Sequence, residues 1–115
     1  MEQEQLDERF NHLLDILTEQ FGQETDLTSA LFLVGIQETG KGFQDYDRDE
    51  KMKLIHIGGA RVLSYWGYYT FERFDEEGFP SYAKNWEKGT PWGSDQEYLF
   101  KEGLIRYFNE MDYDV

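Results

Sequence analysis

The stretch Gly35-Ile36-Gln37-Glu38-Thr39-Gly40-Lys41-Gly42 comes within one residue of a phosphate-binding loop. Such a loop cradles phosphates on glycine backbone N–H groups, reaches them with its lysine, and holds magnesium on a Ser or Thr hydroxyl. Here Gly42 occupies the hydroxyl position, and the next residues lead into acids where a helix N-terminus should favour the anion. The residues therefore predict a glycine-rich helix stop. Asp45-Tyr46-Asp47-Arg48-Asp49 opens like a calcium loop, but its sixth and twelfth positions are Glu50 and His56 where Gly and Glu are needed. Three acids ahead of a helix are better explained by its positive N-terminal end.

Acid–base chemistry has little to draw on. The two histidines, His12 and His56, are preceded three residues earlier by Arg9 and Lys53, so the Glu-x-x-His pattern of a di-iron bundle is missing. His12 shares a predicted helix face with acids, as a solvated histidine does. His56 falls among Met52, Gly59, Leu63 and Trp66, which predicts a core histidine held neutral by burial. The serines at 29, 64, 81 and 94 lack a nucleophile-elbow setting. No catalytic set, metal site or cofactor is implied.

Two asymmetries remain. Residues 1–40 carry nine acids and one base, and Glu4, Glu8, Asp15 and Glu19 recur at the spacing of one helix face. That face predicts either a solubilising surface or a dock for a basic protein, whose extreme form imitates a nucleic acid backbone. The second asymmetry is aromatic: ten of the twenty Phe, Tyr and Trp residues lie between Tyr65 and Trp92. Rings left outside the core, with Tyr69, Phe71, Phe74, Phe79 and Trp86 as candidates, would anchor a protein partner.

These residues need a frame. At 115 residues without cysteine, the chain is the size of one domain that must fold on its core alone. Its net charge of -13 argues against binding nucleic acid or anionic membrane directly. The longest apolar run, Ala30 to Ile36, is far short of the ~20 residues that span a bilayer. With no basic, apolar leader at the start, a cytoplasmic address is expected.

Leu6, Phe10, Leu13, Leu14, Leu17 and Phe21 predict an amphipathic helix over 3–21, stopped at Gly22. Asp26 or Thr28 caps a second over 26–39, apolar nearly all round and so buried, with a strand at 31–34 as the rival reading. Asp47 and Glu50 form a capping box for a third helix, 47–66, in which Gly58 and Gly59 admit a close neighbour. A β-hairpin follows over 68–86, turning at Asp75–Gly78, with Pro80 confined to an edge. Ser94 and Glu97 form a second capping box, for a helix over 94–111, and the last four residues should fray.

The predicted fold is a mainly α bundle of about four helices with an inserted hairpin, α+β being the alternative. The expected function is a non-enzymatic, protein-binding domain using the acidic helix, the aromatic hairpin or both. A nucleic-acid mimic is its sub-case, and a homodimer through the aromatic surface is a further reading. The alternative class is a ligand-binding domain or enzyme with a pocket between the third helix and the hairpin, around His56, Arg61, Tyr65 and Trp66. There Arg61 would hold an anion and His56 would move a proton.

Overall fold

A computed structural model describes residues 2–115. Among them the chain forms helices α1 (Gln3–Phe21), α2 (Leu27–Thr39), α3 (Arg48–Leu63) and α4 (Gly93–Glu110). Strands β1 (Tyr69–Phe74) and β2 (Pro80–Lys84) form an antiparallel hairpin between α3 and α4. The architecture is mainly α, as the periodicity predicts, and no described helix is long and apolar enough to cross a membrane.

Segment 31–34 is helical. Asp26 begins α2 by accepting the Ser29 N–H at 2.8 Å, and Gly40, at φ 70°, ends it. Helix α2 then buries Ala30, Leu31, Val34, Gly35 and Ile36, so it lies inside the bundle. The Asp47–Glu50 capping box starts α3 with both reciprocal bonds made. Helix α3 passes into a 3-10 turn at Ser64–Trp66, closed by Gly67 at φ 79°.

Helices α2 and α3 meet backbone to backbone. A Cβ on Gly35 would overlap the Leu54 carbonyl, and a Cβ on Gly58 would overlap the Leu31 carbonyl. Each helix thus offers one glycine and, one turn before it, one carbonyl to its partner's glycine. Gly103 of α4 has a similar task, since a Cβ there would strike Val62 and crowd the Trp66 ring. Gly59 does not share it. A Cβ at that position meets only the Phe100 ring at 3.5 Å, an ordinary contact.

Further expectations are corrected. His56 and Met52 are exposed, because the glycine crossing turns the Leu54–Gly58 row of α3 inward and rotates theirs outward. Phe79 is only 3% exposed: it fills a second core with Ile36, Tyr46, Leu54 and Ile57. The turn puts it there, since Asp75 Oδ1 accepts both the Glu77 and Phe79 N–H groups, and the Lys41 and Lys53 amines cover its ring at 4.1 Å each. Helix α4 starts at Gly93 without a side-chain cap. Gly93, at φ 62°, turns the chain into the helix one residue early and leaves Ser94 within the first turn.

The tail does not fray. The Asn109 side chain bonds both the N–H and the oxygen of Val115, Arg9 donates to that oxygen at 2.6 Å, and Tyr113 donates to Gln20. These contacts join the end of the chain to α1 and α4.

Gly35→Ala or Gly58→Ala should lower stability by about 1–3 kcal/mol, because a methyl is forced against backbone that cannot rotate away. Urea denaturation of the two variants checks this; an unchanged midpoint for either would show the crossing is looser than described. Asp26→Ala should cost about 1 kcal/mol through loss of the cap, read in the same way.

Candidate binding cleft

The hairpin carries a β-bulge at Glu72. Phe71 pairs with Tyr82 and Phe74 with Pro80, while Glu72 is an extra residue on β1. Tyr82 and Pro80 are two apart on β2 and point to the same side, so Phe71 and Phe74 do too, although simple alternation would separate them. Their rings meet at 5.3 Å, and Phe71 stands 5.9 Å from Tyr82. Despite this packing they remain 46% and 57% exposed.

Opposite these rings lies a polar group drawn from three helices. Arg61 of α3 donates from Nε to Glu38 of α2 at 2.9 Å, and Tyr107 of α4 donates to the other Glu38 oxygen at 3.0 Å. Tyr65 donates to Glu110 at 3.0 Å, and its ring is flanked by the guanidinium groups of Arg61 and Arg106. Among the described residues, no buried side-chain nitrogen or oxygen is left without a partner. Between this group and the hairpin rings runs a cleft of about 340 Å³, bordered by Glu38, Arg61, Ser64, Phe71, Phe74 and Tyr82.

The tyrosines are tuned by this setting. Burial pushes Tyr82 up to about 12, helped by the Glu38 charge. Burial also raises Tyr65 to about 12, with the Glu110 hydrogen bond adding to it. Tyr107 is raised for the same reasons as Tyr82 and further by its hydrogen bond to Glu38. Their hydroxyls stay protonated at neutral pH, and those of Tyr65 and Tyr107 act as donors. The Ser64 hydroxyl donates to the Arg61 carbonyl one turn back, so it is engaged in its own helix. The cleft thus has aromatic rings of the hairpin, Phe71, Phe74 and Tyr82, on one wall and the Glu38–Arg61 ion pair on the other.

Of the four predicted pocket residues, Arg61, Tyr65 and Trp66 are in contact through the Tyr65 ring, and His56 stands apart from them. Arg61 borders the cleft, but its charge is matched by Glu38, so the expected anion site is not supported by its geometry. Tyr65 stacks beside it. Trp66 packs on Gly103, and His56 sits over a different depression, edge-on to Tyr69 with ring centres 6.4 Å apart. Of the predicted docking rings, Phe71 and Phe74 form the wall, Tyr69 is half-buried, and Trp86 is 81% exposed beneath the Lys84 amine. Trp92, not singled out from the sequence, is 82% exposed. No protein family, curated protein or solved structure matches this chain.

Glu38 and the polar role of Tyr107, a residue the spacing assigns to the apolar side of the last helix, escaped the sequence reading. The signal for Glu38 was its spacing: it follows Leu31 and Gly35 on the buried row of α2, where a carboxylate needs a partner. The acids of α1 are where the pattern placed them, with Glu4, Glu8, Asp15 and Glu19 all exposed. They run along about 22 Å of helix at 1.5 Å per residue. Among the described residues no cluster of three metal-ligating side chains forms.

Glu38→Ala removes the acceptor from both Arg61 and Tyr107 and should cost about 3 kcal/mol, more than Tyr107→Phe at about 1 kcal/mol. The raised tyrosines set a pH dependence. Their protonated forms are favoured in the folded state, so that contribution is intact below pH 10 and is lost as pH rises through about 12. Absorbance titration should show Tyr65 and Tyr82 ionising late, and Phe at both positions should shrink that late component, leaving Tyr107 to ionise last.

Proposed function

We propose that this chain is a non-catalytic interaction domain that docks a basic protein partner at the cleft beneath Phe71 and Phe74. The observation that carries the reading is the bulged hairpin, which turns two adjacent phenylalanines to one side and leaves them exposed above a polar floor. Exposed rings beside half-buried ones are the form that interface anchors take. The basic character of the partner follows from the net charge of -13, which repels acidic proteins and accelerates encounter with basic ones.

The acidic face of α1 supports the same choice of partner. Its four acids are exposed, and Arg9, the lone base among residues 1–40, is turned to the Val115 oxygen. If this stripe steers association, it acts mainly on the association rate and its salt dependence.

The experiment is capture by the immobilised chain from source-organism lysate at two salt concentrations, followed by measured binding of the protein identified. Phe71→Ser with Phe74→Ser should weaken binding at least tenfold while leaving the fold intact. Glu8→Gln, Asp15→Asn and Glu19→Gln together should flatten the salt dependence. A captured protein that binds the double serine variant equally well would overturn the docking site. If DNA competes for the captured partner, the acidic face is acting as a nucleic-acid mimic; if light scattering gives a dimer abolished by the serine changes, the partner is a second copy.

A further inference from the structure

We propose that the depression on the other side of α3, floored at Gly59, is a binding site for a small neutral molecule with an apolar body and one hydrogen-bonding group. The argument begins with Gly59 itself. Glycine inside a helix costs about 1 kcal/mol relative to Ala. Gly35, Gly58 and Gly103 are each explained by a neighbour that a Cβ would strike. Gly59 has helical φ and only an ordinary contact with Phe100 awaiting a Cβ, so neither packing nor backbone conformation demands it. What its missing side chain leaves is space: a cleft of about 320 Å³ between α3, β1 and the first turns of α4.

The lining defines the occupant. Leu31, Ala60 and Leu63, all nearly inaccessible, make an apolar floor, with the Phe100 ring along one side. At the rim stand His56, Tyr69, Thr90 and Gln96, which supply both hydrogen-bond donors and acceptors. None of the lining residues is Asp, Glu, Lys or Arg, in a chain where 30% of residues are charged. An ion would find no counter-charge there beyond the imidazole, so the occupant is neutral. The volume falls at the small end of the range for ligand sites, and an apolar floor with a few polar rim groups is how such sites are built. It is too small for a partner helix. The site stands apart from the hairpin cleft, and neither reading depends on the other.

The probe is 4-methylphenol, whose ring suits the floor and whose hydroxyl suits the rim. Titrated into the isotopically labelled chain, it should give saturable NMR shifts at the Gly59 amide, the His56 and Tyr69 rings and Phe100. Gly59→Leu fills the floor and should abolish them. Gly59→Ala should raise the melting temperature through its helix propensity and weaken binding several-fold, and it serves if the leucine variant fails to fold. Absence of saturable shifts overturns the proposal. So does equal affinity in wild type and the alanine variant, or shifts confined to residues outside this depression.

Discussion

The fold depends on the contact in which α2 and α3 touch without side chains between them. Gly35 and Gly58 each receive a carbonyl from the opposite helix, and no other residue type fits either place. The closeness has a cost, since two helix-interior glycines oppose helix formation by about 1 kcal/mol each. Dispersion between closely packed backbones and the burial of Leu31, Val34, Leu54 and Ile57 around them offset that cost. With the two helices locked in one rotation, there is little freedom in what faces where.

That rotation decides the chemistry of the surface. Glu38 stands three residues beyond Gly35 and Arg61 three beyond Gly58, each on the face that its glycine presents to the partner helix. They meet at one corner of the crossing, and Tyr107 joins them from α4. On the opposite flank, His56 is carried out of the core to the rim of the Gly59 depression. A single steric constraint therefore separates two clefts of different character on the two sides of α3. One has a balanced ion pair and aromatic walls; the other has no fixed charge.

The helices were legible because their signals are local. The three-and-four spacing of α1, the Asp47–Glu50 box and the glycine stops at 22 and 40 act within a few residues of themselves. The hairpin was legible for the same reason, with Asp75 and Gly78 defining its turn. What could not be read was set by distant partners. The phosphate-loop likeness of 35–42 could be rejected from its neighbours, but the actual reason for Gly35, the Leu54 carbonyl, lies across a helix crossing. His56 looked buried because its apolar neighbours in sequence were assigned to one face before the crossing angle was known. Phe79 and Phe74 are both hairpin phenylalanines, and only the placement of the turn against α2 and α3 makes one core and the other surface. The tail was assumed loose because Arg9 is more than one hundred residues away from Val115.

The bulge at Glu72 has an evolutionary corollary. Side chains on a strand alternate, so the surface that Phe71 shares with Phe74 exists by virtue of one extra residue. The rings are three positions apart, so pairing this same sequence without the bulge would send Phe71 to the opposite side of the ribbon, whereas loss of the Glu72 codon itself would restore regular alternation with Phe71 and Phe74 two apart and still on one side. The length of β1 can therefore change by one residue at this point without dividing the aromatic pair.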